Sequence, residues 1–127
     1  MPAIKQKYLI NSSLDKVWAA LTDPKVINSW GGGPAEMKAE AGFKFKLWGG
    51  DIHGKNLVVE KGKKLVQEWV SGDWENPSIV TFNLKPKNDK VEIELIHEKV
   101  PTEEEKDIAD GWNDYYLGSI KTYLENK

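Results

Sequence analysis

The chain has 127 residues and a mass of 14.4 kDa, which suits one domain, so residues 1–127 are expected to fold as a single unit. Because the sequence contains no cysteine, it excludes disulfide frameworks, thiol nucleophiles and cysteine-ligated metal sites. All 18 basic side chains are lysines and the net charge is −2, so the chain has no guanidinium group to clamp phosphate or guanine, and nucleic-acid binding is not expected.

The N-terminal sequence has no apolar leader, and no stretch of the chain approaches the ~20 apolar residues of a membrane span. With the absence of cysteine, this predicts a soluble, cytoplasmic protein. Asn11-Ser12-Ser13 matches the acceptor pattern for N-glycosylation, but such a short triplet occurs by chance and has no secretory context here.

A strand and two short helices are predicted at the start of the chain. Residues 5–10 alternate between two faces, as a strand does. Ser12 lies three residues before Asp15, as in a capping box, and apolar residues follow at helical spacing. Asp23 and Pro24 end that helix and then begin a second one, as its N-cap and first residue.

Residues 35–97 predict an antiparallel meander, because apolar positions recur with period two between turn residues. Six strands fit into this segment. In the last of them Val91, Ile93, Leu95 and His97 share one face, so the histidine is expected to face the interior. It is interpreted first as a hydrogen-bonded core histidine, with a general base as the alternative.

A long helix is predicted at the C-terminal end. Thr102 precedes three glutamates, which indicates a second capping box with acids in the first turn. The apolar residues that follow at spacings of three and four form an aromatic stripe: Ile108, Trp112, Tyr115, Tyr116, Ile120, Tyr123 and Leu124. The complete pattern predicts an α+β fold in which a curved antiparallel sheet wraps around this helix.

Short motifs along nearly the whole chain carry a family resemblance. They are Val17-Trp18-Ala19-Ala20-Leu21-Thr22-Asp23-Pro24, Gly42-Phe43-Lys44-Phe45, Ile52-His53-Gly54, Trp69, Val100-Pro101-Thr102-Glu103-Glu104-Glu105, Gly111-Trp112-Asn113-Asp114-Tyr115-Tyr116 and Ile120-Lys121. The chain resembles the START-like (SRPBCC) superfamily and, within it, the C-terminal domain of the activator of heat-shock protein 90 ATPase, here as a free-standing protein. The resemblance implies the helix-grip fold of the birch pollen allergen. It also implies a stress-related role, through either a small hydrophobic ligand or a chaperone partner.

The favoured functional hypothesis is a cavity between the sheet and the C-terminal helix. The candidate lining residues are Trp30, Met37, Phe45, Trp69, His97, Trp112 and Tyr116. Their rings would hold an apolar or amphipathic ligand, and hydroxyls or the histidine would orient its polar end; plain core packing is the alternative. Gly111 and Gly118 indicate either close packing or room for a guest. Gly31-Gly32-Gly33-Pro34 predicts a flexible connection. The resemblance implies that it lies near the cavity mouth of a helix-grip fold, where it would also act as a lid.

The sequence offers no further chemistry. Its two histidines, His53 and His97, lie on separate predicted strands without metal-ligand spacing, and no serine lies in a nucleophile elbow. We therefore predict a non-catalytic binding module, monomeric or homodimeric, without metal or cofactor. A chaperone-interaction module is the alternative, and a polyketide cyclase-like enzyme with a His or Tyr acid–base is the least favoured.

Overall fold

In the computed structural model, which describes residues 3–72 and 74–125, a six-stranded antiparallel sheet curves around a C-terminal helix. The strands are β1 (Ile4–Ile10), β2 (Lys44–Leu47), β3 (Ile52–Glu60), β4 (Lys64–Ser71), β5 (Ser78–Lys87) and β6 (Lys90–Glu98). They lie in the order β1-β6-β5-β4-β3-β2, and every neighbouring pair is antiparallel. The predicted α+β, helix-grip architecture is confirmed.

The helical elements lie before and after the meander. The α-helices are α1 (Leu14–Thr22), α2 (Pro24–Trp30), α3 (Glu105–Gly111) and α4 (Leu117–Glu125). Two 3-10 turns, Trp48–Gly50 and Thr102–Glu104, and a π-helical segment, Trp112–Tyr116, complete the set. Residues 102–125 are helical without a break and are called the C-terminal helix below. In the part of the chain that the structure describes, no helix combines the length and apolar character needed to cross a membrane.

The two N-terminal helices begin as their sequences suggest, with one shift. The N-cap of α1 is Ser13, whose hydroxyl accepts a hydrogen bond from the backbone N–H of Lys16 at 3.3 Å, so the predicted cap at Ser12 is wrong by one residue. Asp23 caps α2 as predicted, and its proline follows at the first helical position. Gly31 then ends α2 in the left-handed conformation, with φ at 106°.

Within the described residues the meander contains five strands, so the prediction of six is wrong. Between α2 and β2 the chain makes a single β-bridge, which joins Glu36 to Lys46. The buried side-chain amide of Asn56 on β3 donates to the carbonyls of Lys38 at 2.8 Å and Glu40 at 3.2 Å. This loop therefore satisfies its carbonyls with a side chain instead of a neighbouring strand.

The inner face of the sheet carries the core. Val91, Ile93, Leu95 and His97 alternate along β6 with half-exposed residues and are at most 2% exposed, as their spacing predicts. Buried residues of the C-terminal helix, including Trp112, belong to the same cluster. The helix thus supplies the large apolar surface that covers the concave face of the sheet.

The start of the C-terminal helix differs from the predicted capping box. Its first turn is the 3-10 turn, which follows Pro101 and has no side-chain cap, so Thr102 lies inside the turn instead of capping it. The glutamates at residues 103–105 still occupy the first turns, where the helix dipole favours negative charge.

The middle of the C-terminal helix widens into a π turn, in which the backbone N–H of Leu117 bonds to the carbonyl of Trp112. At Gly118 a Cβ atom would lie 1.7 Å from the carbonyl oxygen of Asn113, so the turn requires glycine there. Tyr115 was placed on the buried stripe, but its side chain is 68% exposed. Consecutive helical residues point ~100° apart, and its neighbour in sequence takes the inward position.

Candidate ligand-binding site

A pocket of about 280 Å³ opens between the C-terminal helix and the point where β3 begins and β4 ends. Five aromatic side chains line it: Trp48, Trp69, Trp112, Tyr115 and Tyr116. The other lining residues are Asp51, Ile52, Ser71, Asp107, Ile108 and Gly111. An apolar wall with a few polar groups is the usual composition of a small-molecule site.

Trp48 forms one wall of the pocket in an unusual backbone conformation, with φ at 50°. Its backbone N–H donates to the carbonyl of Gly32 at 2.8 Å, and the next residue bonds to the carbonyl of Pro34 at 3.0 Å. Its ring meets those of Trp30 and Tyr116 edge-on, with centroids 5.9 and 5.8 Å away. The glycine run predicted as a lid is therefore bonded to the back of this wall and does not line the pocket.

The floor of the pocket is a continuous group of packed rings. Trp112 stacks on Trp69 with centroids 5.3 Å apart and an interplanar angle of 27°. The same indole contacts Tyr116 at 4.5 Å and meets Phe82 edge-on at 5.6 Å. These rings fill the centre of the core, so the open space lies at one end of the helix–sheet interface and not in the middle of it.

Beneath these rings, His97 belongs to a hydrogen-bonded chain. The indole N–H of Trp112 donates to Nδ1 of His97 at 3.0 Å, which fixes the imidazole proton on Nε2 because an indole can only donate. Nε2 then donates to Oγ of Ser78 at 2.7 Å, and that hydroxyl donates to the carbonyl of Trp69 at 2.6 Å. Both nitrogens of His97 are therefore occupied.

The environment of His97 favours its neutral form. The side chain has no exposed surface, and burial lowers the pKa of His97 from 6.5 to about 3. It does not line the pocket. The geometry matches the interpretation of a core histidine that positions Trp112 and Ser78, and it leaves no lone pair for a general base.

Two polar atoms in the pocket walls have no protein partner. The indole Nε1 of Trp69 and the hydroxyl of Tyr116 are buried and make no hydrogen bond among the described residues. Burial raises the pKa of Tyr116, so its hydroxyl keeps its proton. An unsatisfied buried polar group costs ~1–3 kcal/mol. Each of the two atoms exposes less than 1 Å², so a molecule in the pocket could bond to it only after the ring turns toward the opening.

A third such atom lies on the same face of β4 as Trp69. Gln67 is fully buried, and its amide nitrogen donates to Oδ1 of Asn56 at 2.9 Å, whereas its Oε1 has no partner among the described residues. Gln67 and Asn56 form a cross-strand pair on β4 and β3. Neither residue belongs to the predicted cavity lining, although the alternation of β4 places Gln67 inward between Leu65 and Trp69.

Three of the seven predicted cavity residues line the pocket, and four lie elsewhere: Trp30, Met37, Phe45 and His97. Trp30 lies behind Trp48 and donates its indole N–H to a carbonyl of α1 at 2.8 Å. The sulfur of Met37 lies 3.9 Å from the amide nitrogen of Asn56. The ring of Phe45 packs over Gly54, where a Cβ atom would come within 3.1 Å of it.

Gly111 fits the prediction of room for a guest, because a Cβ atom there would meet nothing within 4 Å and the residue lines the pocket. Reasoning from the sequence missed Trp48 and the polar rim of Asp51, Ser71 and Asp107. The turn signal Gly49-Gly50 next to a tryptophan is the one local feature that marks this part of the rim.

Metal ligands do not converge at this site. Across residues 3–72 and 74–125, no three histidine, aspartate or glutamate side chains come close enough together to hold an ion. The two carboxylates of the pocket belong to Asp51 and Asp107.

Known proteins resemble this chain in both sequence and fold. A protein of Schizosaccharomyces pombe is 28% identical over 121 residues, or 94% of this chain. An activator of 90 kDa heat shock protein ATPase, homolog 2, from Mus musculus is 24% identical over 92% of it. The chain spans 36% of the length of each of these relatives.

Two solved structures share the fold over nearly their whole length. An HSP90 activator from Plasmodium falciparum has a TM-score of 0.89 at 23% identity and covers 97% of this chain and 96% of its own. The Aha1 dimer from Colwellia psychrerythraea has a TM-score of 0.85 at 20% identity, with coverage of 98% and 97%. In addition, residues 11–125 match the family described as activator of Hsp90 ATPase homolog 1-like protein. From the first helix to the end of the last, therefore, the chain belongs to the activator of Hsp90 ATPase homolog 1-like family.

Proposed function

We propose that this protein binds a small, largely apolar molecule in the pocket between the C-terminal helix and the β3–β4 edge. One observation carries the proposal: a pocket of about 280 Å³ is lined by five aromatic side chains, and two of these, Trp69 and Tyr116, hold buried polar atoms without a partner among the described residues. A protein interior that served packing alone would be expected to satisfy such atoms.

The two unpartnered groups indicate what the ligand offers. The indole N–H of Trp69 is a donor only, so it requires an acceptor such as a carbonyl or ether oxygen. The hydroxyl of Tyr116 donates and accepts. The ligand of this proposal therefore has a flat apolar body for the rings. An acceptor on it reaches the indole N–H only when the Trp69 ring turns toward the pocket, because that nitrogen exposes less than 1 Å².

The proposal includes no catalytic step. An acid–base mechanism needs a titrating group that reaches the substrate. His97 has both nitrogens engaged and lies outside the pocket lining, and the hydroxyl of Tyr116 is held protonated by burial. This arrangement supports binding over cyclase-like chemistry that uses His97 or Tyr116 as its acid–base; the titrating groups that do line the pocket are the carboxylates of Asp51 and Asp107.

The test fills the pocket from the helix side. Gly111→Leu places a branched side chain into open space, whereas Gly111→Ala adds one methyl group and serves as the matched control. Binding of 1-naphthylmethanol, a neutral two-ring probe, is followed by quenching of tryptophan fluorescence and by amide chemical shifts. We expect saturable binding to the wild type and the alanine variant, and affinity lower by about tenfold or more in the leucine variant.

Two results would contradict the proposal. One is the absence of saturable binding to the folded wild type, and the other is equal affinity in the wild type and the leucine variant. Near-ultraviolet circular dichroism confirms that each variant is folded, so a loss of binding through unfolding is recognised.

A second candidate function rests on the relatives. The mouse protein is named an activator of the 90 kDa heat shock protein ATPase, and this chain matches about a third of it. We propose as the second candidate that this chain contacts such a chaperone through its surface, in the cytoplasm. ATP hydrolysis by a purified 90 kDa chaperone, measured with and without the chain, tests this. Stimulation that is unchanged in Gly111→Leu would separate the surface function from the pocket.

A further inference from the structure

We propose that the pocket selects molecules that carry a positive charge, so that its ligand is an apolar amine. This inference rests on the proposed function and adds the chemical class of the ligand. It joins two features of the same site, the charges at its rim and the aromatic faces of its wall.

The charged residues of the pocket all have one sign. Asp51 and Asp107 line it, both are exposed, and neither takes part in an ion pair or a side-chain hydrogen bond within the described residues. No lysine among residues 3–72 and 74–125 lines the pocket, although lysine makes up about a seventh of the chain. An anionic ligand would find no counter-charge there, whereas a cationic one would find two.

The wall acts in the same direction as the rim. The faces of tryptophan and tyrosine rings carry negative electrostatic potential and attract a cation within about 6 Å of the ring centre. Trp48 and Tyr115 line the pocket alongside the two carboxylates. Tyr115 is 68% exposed, so its ring is available at the opening.

Helix electrostatics account for only part of this arrangement. Asp107 lies in the first turn of α3, where a carboxylate is favoured by the helix dipole without any ligand. Asp51 follows the 3-10 turn next to Trp48 and has no such role. A cationic ligand would explain why a second carboxylate, that of Asp51, lines the same pocket.

The experiment compares three probes that share one ring system and differ in charge: 1-naphthylmethylamine, which is protonated at pH 7, neutral 1-naphthylmethanol, and 1-naphthoate. Their affinities for the wild type are measured by calorimetry at low and high salt. We expect the amine to bind about three- to tenfold more tightly than the alcohol, and the carboxylate more weakly than the alcohol. The preference should shrink as added salt shortens the screening length.

Variants assign the preference to the rim. In the Asp51→Asn/Asp107→Asn double variant the preference for the amine over the alcohol should shrink to what the ring faces alone provide, while the affinity for the alcohol itself stays constant and reports an intact pocket. Asp110→Asn, on the same helix but outside the pocket lining, is the matched control and should retain the full preference.

The outcomes separate the two proposals. Equal binding of all three probes, or tightest binding of the carboxylate, overturns the charge inference and leaves the proposed pocket standing. A preference for the amine that is undiminished in the double variant also overturns it. If none of the three probes binds, the pocket proposal fails as well.

Discussion

Lowering the pH should destabilise this protein through His97, and the effect can be isolated from all other titrating groups. Burial lowers the pKa of His97 in the folded protein from 6.5 to about 3, so below pH 6.5 the unfolded chain takes up a proton that the folded chain refuses. The contribution to stability is therefore complete above pH 6.5 and is lost progressively as the pH falls toward about 3.

The magnitude follows from the width of that window. Each pH unit between the two pKa values costs ~1.4 kcal/mol, so at pH 4.5, about two units below the unfolded value, the loss is about 2–3 kcal/mol. Carboxylates elsewhere in the chain also titrate at this pH, so the total pH dependence does not isolate the histidine. His97→Gln provides the reference, because glutamine keeps a donor and an acceptor but does not titrate.

The assay is urea denaturation of both proteins at pH 7.0 and pH 4.5. At pH 7.0 the variant should be the less stable, because an amide cannot match both the indole N–H of Trp112 and the hydroxyl of Ser78. At pH 4.5 the gap should narrow by about 2–3 kcal/mol. A gap of the same size at both pH values would refute the reasoning, since it would mean that His97 is protonated alike in the folded and unfolded states.

Four further substitutions test three separate features by the same denaturation assay, joined by probe binding for one of them and hydrogen exchange for another. Gly118→Ala should lower the free energy of unfolding by about 1–3 kcal/mol, because its Cβ would collide with the carbonyl of Asn113. Gly111→Ala should raise the free energy of unfolding by up to ~1 kcal/mol, because a Cβ there meets nothing. Similar effects at both glycines would contradict the π turn. Tyr116→Phe removes a buried hydroxyl that has no partner among the described residues. The variant should be more stable by up to ~1 kcal/mol and should bind the probe more weakly. A marked loss of stability would show that the hydroxyl is bonded. Asn56→Ala should cost about 1–3 kcal/mol and speed hydrogen exchange in the loop before β2, and unchanged exchange there would contradict its anchoring role.

The elements that could be predicted from the sequence are those set by a single local pattern. The alternation from Val91 to His97 has no competing interpretation, and β6 forms there with the expected face inward. Asp23 followed by a proline leaves few alternatives to a helix start, and it caps α2. In such segments the backbone preference and the pattern of burial agree, so local reasoning is sufficient.

The errors occur where contacts between distant residues decide the structure. The missing sixth strand depends on the amide of Asn56, which bonds to carbonyls 16 and 18 residues earlier. The role of His97 depends on Ser78 and Trp112, which lie 19 and 15 residues away. No periodicity within a short window carries this information.

The same limit explains how much of the candidate site was predictable. The aromatic helix face identified Trp112 and Tyr116, because large rings at helical spacing must meet the sheet. Trp48 enters the pocket through a left-handed backbone conformation that a tryptophan rarely adopts, so its position did not follow from its residue type. Asp51 and Asp107 line the same pocket from a turn and a helix that are far apart in the sequence.

The π turn changes which face of the C-terminal helix each residue occupies, so the residues after the turn are rotated about the helix axis relative to those before it. In a regular α-helix each residue is rotated by ~100° from the one before it. The direction of the residues that face the pocket would then fix the direction of the residues that anchor the helix in the core. The wider turn at Trp112–Tyr116 absorbs one extra residue and releases that constraint. Ile108 and Gly111 can therefore face the pocket while Ile120 and Leu124 stay buried in the core. Removing a single residue from the turn would restore the regular helix and rotate one half against the other, so the pocket wall depends on the length of this segment as much as on its side chains.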